Sequence, residues 1–271
     1  HLPQAELMSR LALIFFQNTF FVSRHNTEPF SPIFSQLLSR FVCHRAAAII
    51  CISNVVKQFL IDSREVDDTT KLKVIHYSYD PKIPNCKKLR STLDPNLGLR
   101  LLTIGRLVPQ KNYPFLFRTL SIVHRKNIKF SLQIFGEGIL ERDLQTKSKD
   151  LGLTQFITWA GKQKDIQKIM KESDALIMAS LYEGFGLAVL EAIQLGLPVI
   201  TPDRSTFPEI LGVDYPGLYE PNSEADMAKL IIKLTEPDFY STLSKASIQR
   251  LINFEPAKMI KATLELYEES T

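Results

Sequence analysis

The sequence predicts an α/β protein built on parallel β-sheet, and three observations support this fold class. Short apolar runs with strand character alternate with segments of helical periodicity along most of the 271 residues. Several of these runs are apolar at consecutive positions, which is typical of parallel strands buried on both faces. Apolar residues make up 45% and charged residues 23% of the chain, which excludes disordered, collagen-like and low-complexity proteins.

The N-terminal part of the chain predicts two strands. Residues 46–53 form an apolar run followed by a helix over residues 55–61, and residues 73–77 form the second strand. A polar stretch with three prolines, residues 80–96, is predicted to be a linker. About two strand–helix units are too few for a complete Rossmann-like domain, so this domain is expected to be incomplete.

The rest of the chain predicts one complete Rossmann-like domain, because strands and helices alternate there five or six times. Its predicted strands cover residues 100–104, 130–135, 156–159, 175–178 and 198–201. Its predicted helices cover residues 113–125, 165–172, 187–194, 224–234, 238–251 and 257–269, with one more ending near residue 150.

Charge and cysteine content exclude several classes of function. The net charge of +4 comes without a dense basic stripe carrying interleaved aromatic residues, which argues against nucleic acid as a partner. Cys43, Cys51 and Cys86 lack metal-ligand spacing and are predicted to be reduced thiols of a cytosolic protein. No apolar run approaches the roughly 20 residues of a membrane span, so any membrane contact is expected to be peripheral.

The candidate site lies in the segments that follow the predicted strands, since doubly wound folds bind ligands at the carboxyl ends of parallel strands. Residues 105–112 (GRLVPQKN) carry two cations, Arg106 and Lys111, which suit a diphosphate, although a solvated basic loop is the alternative. Residues 135–138 (FGEG) precede a helix, whose N-terminus favours anions, although a plain tight turn is the alternative here.

The segment after residues 175–178 is the most informative. Glu183 lies in a turn whose two glycines expose backbone N–H groups, and a helix begins directly afterwards. Glu191 lies the equivalent of two helical turns beyond Glu183, at most about 12 Å away along the helix axis. An unpaired carboxylate in so apolar a helix is costly, which favours a functional role over a solvated one. Two carboxylates with anion-binding amides between them fit a nucleotide-sugar.

Together these segments resemble the retaining glycosyltransferases of GT-B fold, family four, also called glycosyl transferases group 1. The resemblance covers residues 100–212: the pair Glu183 and Glu191 within EGFGLAVLEAIQLGLPVI, the GRLVPQKN loop, the FGEG turn and the PEI element at residues 208–210. It implies an α/β GT-B fold of two Rossmann-like domains, the N-terminal one incomplete. The implied divisions are part of the acceptor-binding domain (1–80), a linker (81–97), the nucleotide-sugar donor domain (98–254) and a helix crossing back to the N-terminal domain (255–271).

The resemblance also implies roles for individual residues. Arg106 and Lys111 would hold the donor diphosphate and stabilise the leaving nucleotide. Glu183 would contact hydroxyls of the transferred sugar, and Glu191 would bind the ribose. His25 would lie near the sugar as a polar contact or proton relay, against the alternative of a surface histidine. The remaining implied donor-binding residues are Gly105, Gly136, Gly138, Gly161, Lys162, Gln163, Gly184, Phe185, Gly186 and Leu187.

The implied reaction moves a sugar from a nucleotide-diphosphate sugar to a glycan or lipid-linked acceptor with retention of configuration, in the assembly of a cell-surface polysaccharide or lipopolysaccharide. No metal or other cofactor is expected, because no D-x-D motif occurs in the chain and protein cations would replace a metal. The expected location is cytoplasmic, with peripheral contact to anionic lipid at the inner face of the membrane.

Two departures from the family pattern bear on this interpretation. Residues 77–80 (YSYD) replace the usual Asn-Gly turn before the linker. The first strands of the acceptor domain are also missing from the sequence, so the chain is expected to be N-terminally truncated. A truncated protein that binds nucleotide-sugar without transfer is therefore one alternative. A dinucleotide-dependent oxidoreductase is another, although the third glycine of G-x-G-x-x-G is missing after Gly138.

Overall fold

The computed structural model describes residues 19–25, 40–82 and 98–269. The described chain divides into two compact units. The first comprises the residues up to Ser78, the short segment Glu183–Phe185 and the residues from Asn253 onward. The second comprises Tyr79–Tyr182 and Gly186–Ile252. Each unit contains its own parallel sheet, so the predicted α/β fold class is confirmed.

The first unit is built on three parallel strands, β1 (Phe21–Arg24), β2 (Ala48–Cys51) and β3 (Leu72–Val74), in that order across the sheet. Helix α1 (Asn54–Asp62) follows β2, and Ser53 caps it by accepting a hydrogen bond from the N–H of Val56 at 3.2 Å. The side-chain cap satisfies one of the donors that a helix leaves open at its N-terminus. The helix predicted at residues 55–61 is therefore confirmed.

A buried ion pair ties the end of β1 to the segment after α1. The Arg24 guanidinium lies 3.1 Å from the Glu65 carboxylate, and both side chains are at most 5% exposed. Such a pair is costly to break, because removing one partner leaves the other charge buried without compensation. It therefore fixes the residue that precedes His25.

The second unit contains a six-stranded sheet in the order β6-β5-β4-β7-β8-β9, with every pairing parallel. The strands are β4 (Leu99–Ile104), β5 (Phe130–Phe135), β6 (Ile157–Gly161), β7 (Ala175–Ile177), β8 (Val199–Pro202) and β9 (Leu218–Tyr219). The helices are α2 (Tyr113–Arg125), α3 (Glu141–Asp150), α4 (Ile166–Glu172), α5 (Leu187–Gln194), α6 (Phe207–Leu211), α7 (Glu224–Lys233) and α8 (Pro237–Arg250).

The central strands of this sheet form its core, as their continuous apolar runs predicted. Leu102 in β4, Leu132 in β5 and Ile177 in β7 have no exposed surface. Two short elements, α6 and β9, did not stand out in the sequence. A two-residue strand offers no periodicity from which a prediction can be made.

The last helix, α9 (Pro256–Glu268), belongs to the first unit. Leu266 on this helix forms a buried cluster with Ala48 and Ile75, and the Tyr267 ring lies 4.6 Å from the ring of Phe21. The first sheet is therefore covered on this face by the C-terminal end of the chain. Ser270 and Thr271 lie outside the described residues.

Candidate active site

The strand order of the second unit reverses beside β4. The chain runs from β4 outward to β6 on one side, then returns to β7 on the other side of β4 and continues outward to β9. In open parallel sheets, ligands bind in the crevice at the carboxyl ends of the strands where the order reverses. The two segments that leave β4 and β7 at this point are the GRLVPQKN loop and the segment that leads to Glu183.

The loop after β4 carries both predicted cations. Lys111 ends a short 3-10 helix, and Asn112 follows with a left-handed backbone, φ +51°, which asparagine tolerates better than most residues. The Lys111 stem lies over Gly105, since a Cβ built at Gly105 would stand 2.7 Å from Lys111 Cε. Arg106 is exposed, and no carboxylate among residues 19–25, 40–82 and 98–269 pairs with its guanidinium.

Two hydrogen bonds tie this loop to the segment after β7. The Leu181 N–H donates to the Gln110 carbonyl at 2.8 Å, and the Gln110 side-chain amide donates to the Tyr182 carbonyl at 2.8 Å. The bonds hold together the backbones of the two segments that flank the point of strand reversal. Gln110 therefore positions the cationic loop, a role that its place between Pro109 and Lys111 does not reveal in the sequence.

The glycines of the FGEG turn pack against neighbouring backbone. The Gly136 N–H donates to the Gly161 carbonyl at 3.0 Å, and a Cβ at Gly136 would lie 2.0 Å from the Gly105 carbonyl oxygen. A Cβ at Gly138 would lie 2.4 Å from the Leu107 carbonyl oxygen. Both glycines are thus required for the close approach of adjacent loops, whatever ligand the edge binds.

The helix after this turn, α3, begins with its own negative charges. Glu141 and Asp143 both lie in its first turn. Carboxylates at this position complement the positive end of the helix dipole. The N-terminus of α3 is therefore already matched by acidic side chains of the chain.

The loop after β6 brings three further predicted residues to the same edge. Gly161 ends β6 with φ +60°, and Lys162 and Gln163 follow it with exposed side chains. The Gln163 amide donates to the Ala160 carbonyl at 2.7 Å and closes the turn. The structure therefore brings Gly105, Gly136 and Gly161 together as neighbours, while Lys162 and Gln163 face solvent beside them.

Helix α5 begins differently from α3. Gly186 precedes it with φ +100°, no side chain caps its N-terminus, and no acidic residue lies in its first turn. Leu187, its first residue, is 49% exposed. The ring of Phe207 and the side chain of Ile210 lie below Gly186 without crowding it. Among the described residues, the N-terminal amides and the positive dipole end of α5 therefore have neither a side-chain cap nor an acidic first turn to complement them.

Glu191 lies on α5, one turn beyond this open end. Its side chain is half-buried, and burial raises the pKa of its carboxyl above the usual range. No hydrogen-bond donor in the described parts of the chain reaches this carboxylate. The Glu191 carboxylate therefore carries the free-energy cost that the sequence predicted for an unpaired carboxylate in an apolar helix.

The segment Glu183–Phe185 belongs to the first unit. Glu183 is buried, with 8% of its surface exposed. The Ser53 hydroxyl donates to the Gly184 carbonyl at 2.7 Å while it also caps α1. This second contact of Ser53, which is 131 positions from Gly184, has no signal in the sequence.

Phe185 lies in an aromatic cluster of the first unit. Its buried ring has its centroid 5.9 Å from His76, 5.4 Å from Tyr77 and 5.9 Å from Phe254. The contacts with Tyr77 and Phe254 are nearly perpendicular, at 85° and 80°, an arrangement that suits the charge distribution of aromatic rings. Its side chain therefore anchors the segment, and only its backbone is left for the predicted ligand contact.

His25 directly follows β1 and contacts Tyr77. Its Nδ1 is hydrogen-bonded to the Tyr77 hydroxyl, and the two rings are nearly parallel with centroids 5.8 Å apart. Burial is the largest cause that lowers the pKa of His25 below its usual value, and the positive charge of Arg24 acts in the same direction. The surroundings are those of a half-buried, oriented imidazole and not of a surface histidine.

Neither a metal-binding cluster nor a membrane-spanning helix occurs among the described residues. No group there combines three or more histidine, cysteine, aspartate and glutamate side chains in a way that would hold a metal ion. No helix of this part of the chain has the length and apolar character needed to cross a membrane. Cys43 and Cys51 are buried, and Cys86 lies outside the described residues.

The two parallel, Rossmann-like sheets define a protein of GT-B fold. The model of the family "Glycosyl transferases group 1" matches residues 87–250, well over half of the chain. The chain belongs to this family, as the sequence motifs predicted.

Two relatives and one solved structure illustrate the similarity. An uncharacterized glycosyltransferase of Methanocaldococcus jannaschii is 32% identical over 191 residues, covering 59% of this chain and 47% of that protein. The Escherichia coli UDP-Gal:alpha-D-GlcNAc-diphosphoundecaprenol alpha-1,3-galactosyltransferase is 27% identical over 241 residues, covering 85% of this chain and 62% of that protein. The structure of Anabaena HepE in complex with UDP and glucose has a TM-score of 0.77 at 17% identity, covering 98% of this chain and 75% of that one.

The chain spans about half the length of the curated relatives it matches, with values of 47%, 62% and 42% for three of them. The solved structure shares the fold at an identity too low to carry a function across. The activity, substrates and partners of the whole protein are therefore matters for proposal.

Proposed function

We propose that this protein is a glycosyltransferase that moves a sugar from a nucleotide-diphosphate sugar to a glycan or lipid-linked acceptor with retention of configuration. The observation that carries the proposal is the open N-terminus of α5, which lacks both a side-chain cap and an acidic first turn. A diphosphate supplies the negative charge that this helix end lacks.

The residues of the second unit suit the parts of such a donor. Arg106, an exposed guanidinium without a carboxylate partner in the described chain, and Lys111 provide positive charge for the diphosphate as the nucleotide leaves. The Glu191 carboxylate accepts hydrogen bonds from ribose hydroxyls, which satisfy it without a counter-ion. Glu183 and His25 of the first unit contact the transferred sugar.

The nucleotide is proposed to be UDP, and the acceptor a sugar carried on a lipid diphosphate. The E. coli relative is named for UDP-galactose and a diphosphoundecaprenol-linked acceptor, which supports both choices. No metal is required in this proposal, because Arg106 and Lys111 take the place of a cation at the diphosphate. Membership of the glycosyltransferase family leaves the oxidoreductase alternative without support.

The donor site is tested by thermal melts with UDP, UDP-glucose, UDP-galactose and UDP-N-acetylglucosamine. At 100 times its Kd, a ligand of the folded state adds about 2.7 kcal/mol, which raises Tm by roughly 5–10 °C for a chain of this size. Arg106→Ala and Glu191→Ala are expected to lose most of this shift, while Lys164→Ala and Glu172→Ala, both at exposed positions, keep it.

Equal ligand-induced Tm shifts in all four variants would contradict the proposed donor site. The same melts with EDTA are expected to give the wild-type shift, and its loss would contradict the metal-free proposal. Transfer itself is measured with a diphosphoundecaprenol-linked sugar, and the anomeric configuration of the product is determined by NMR. Donor binding without transfer would instead support the alternative of a non-catalytic binding protein.

A lipid-linked acceptor would bring the protein to the cytoplasmic face of the membrane. Four exposed lysines surround α4, at positions 162, 164, 168 and 171. Anionic headgroups attract such a cluster, each lysine contributing about 1 kcal/mol at the surface. Sedimentation with phosphatidylglycerol vesicles is expected to carry the protein down at low salt, and reversing all four charges is expected to weaken this. If the charge-reversed variant sedimented with the vesicles as fully as the wild type, the lysines around α4 would not be the membrane contact.

A further inference from the structure

The contact between His25 and Tyr77 decides which of two roles His25 plays. A histidine that relays a proton needs a free, unprotonated nitrogen toward the substrate, whereas one that serves as a polar contact presents an N–H there. Which nitrogen carries the proton is set by the hydrogen bond that the other nitrogen makes. In this chain that bond joins His25 Nδ1 and the Tyr77 hydroxyl.

We propose that Tyr77 is a positioning residue whose hydroxyl donates to His25 Nδ1 and thereby holds the imidazole proton on Nε2. The inference rests on the proposed function for its catalytic consequence, since it makes His25 a donor toward an oxygen of the bound sugar. It assigns a role to the Tyr-Ser-Tyr-Asp segment at residues 77–80, which departs from the usual Asn-Gly of the family.

The direction of the hydrogen bond follows from the partners of Tyr77. Nδ1 of His25 is the hydrogen-bond partner that the described chain offers to the half-buried Tyr77 hydroxyl. If Nδ1–H were the donor, the phenol proton would point to no acceptor in that part of the chain, at the cost of an unsatisfied polar group. The bond from the phenol to Nδ1 uses this proton.

Both groups are neutral at physiological pH, as this bond requires. Burial lowers the pKa of His25 and raises the pKa of Tyr77. The charged group beside His25 in the chain is Arg24, which is already paired with Glu65. A neutral imidazole that accepts at Nδ1 has its proton on Nε2.

The Tyr77 ring is held from two sides, so its hydroxyl has a fixed direction. One face lies nearly parallel to the His25 ring, at an interplanar angle of 19°. The Phe185 ring meets it at 85°, with centroids 5.4 Å apart. Because Phe185 follows Glu183 by two residues, the orientation of His25 depends on the turn that carries the predicted sugar contact.

The test is the tautomer of His25, measured by long-range ¹H–¹⁵N correlation on protein labelled with ¹⁵N-histidine. His25 is identified among the five histidines by the signal that His25→Gln removes. The wild type is expected to show a protonated Nε2 and an unprotonated Nδ1. Tyr77→Phe, which keeps both ring contacts, is expected to show a mixture of tautomers. Tyr79→Phe, a half-buried tyrosine two positions along, is the matched control and keeps the wild-type pattern.

A proton on Nδ1 in the wild type would overturn the inference without any variant, and so would an unchanged tautomer in Tyr77→Phe. In a transfer assay, Tyr77→Phe is expected to lower kcat about tenfold, the scale of one hydrogen bond, with KM for the donor unchanged. Absence of transfer by the wild type, with the proton on Nε2, would contradict the proposed function and leave the role of Tyr77 intact. Transfer by the wild type with the proton on Nδ1 would support the proposed function and overturn the role of Tyr77.

Discussion

Helices α3 and α5 of the second unit both begin after glycine at the carboxyl edge of one sheet, yet the glycines serve different purposes. Gly136 and Gly138, before α3, allow neighbouring backbones to meet, and acidic side chains complement the helix end. Gly186, before α5, supplies a left-handed residue and leaves the helix end open. The difference teaches that a glycine-rich turn indicates an anion site only where the helix behind it is unmatched.

The largest test of this comparison is Gly136→Ala against Gly186→Ala. A methyl group at Gly136 would meet the Gly105 carbonyl oxygen at 2.0 Å, whereas one at Gly186 would have its nearest neighbour at 3.5 Å. At residue 136 the added methyl group overpacks the site, at a cost of about 1–3 kcal/mol, and the positive φ adds backbone strain. The free energy of unfolding of Gly136→Ala is therefore expected to fall by about 3 kcal/mol. Only the strain, about 1 kcal/mol, is expected at residue 186. Urea denaturation of both variants measures the difference, and equal losses would refute the distinction.

The part of the comparison that the sequence could predict lies in the strong periodic patterns. The apolar runs of β4, β5 and β7 and the helix of Glu191 identified the sheet and its edge, because burial on both faces leaves a continuous signal in the residues. Family motifs then selected the residues of that edge. Each of these features is local in the chain or repeats within a few positions.

The part that the sequence could not predict depends on contacts between distant segments. The crowding of Gly136 comes from Gly105, 31 positions earlier, and the hydroxyl that orients His25 comes from Tyr77, 52 positions later. Ser53 has the sequence signal of a helix cap, but its bond to Gly184 has none. Periodicity reports which face of an element is buried and not which partner it meets.

The second test concerns how the segment before Gly186 is held. Ser53→Ala removes the cap of α1 and the hydrogen bond to the Gly184 carbonyl, so a loss of about 2 kcal/mol is expected from the two contacts together. Ser223→Ala removes a cap alone, at the N-terminus of α7, and is expected to cost about 1 kcal/mol. Denaturant midpoints compare the two variants. A loss no larger in Ser53→Ala than in Ser223→Ala would show that the Gly184 contact adds nothing.

The third test separates stability from binding at the open end of α5. Leu187→Asp places a carboxylate at a half-exposed first helical position, which stabilises the helix by about 0.5 kcal/mol and lowers the affinity for a UDP-sugar about tenfold by repelling its diphosphate. Ile139→Asp, at an 87% exposed position of the other turn, is the control and leaves the affinity unchanged. Calorimetry measures both affinities. An equal fall in the two variants would place the diphosphate elsewhere or show only a long-range charge effect.

The smallest effect is expected for Glu191→Gln in the protein without ligand, and its sign is the informative part. Because burial raises the pKa of this carboxyl, the folded state binds its proton more tightly than the unfolded state does, and the ionised form lowers stability above the raised pKa. Glu191→Gln therefore stabilises the free protein at pH 7. The gain disappears as the pH falls through the raised value to below the usual carboxyl range, where both states are protonated. Thermal melts from pH 4 to 8 measure this pH dependence, with the exposed Glu172→Gln as control.

A paired carboxylate would show the opposite sign. Destabilisation by Glu191→Gln at pH 7 would therefore mean that the chain itself satisfies Glu191 and leaves no carboxylate for the ribose.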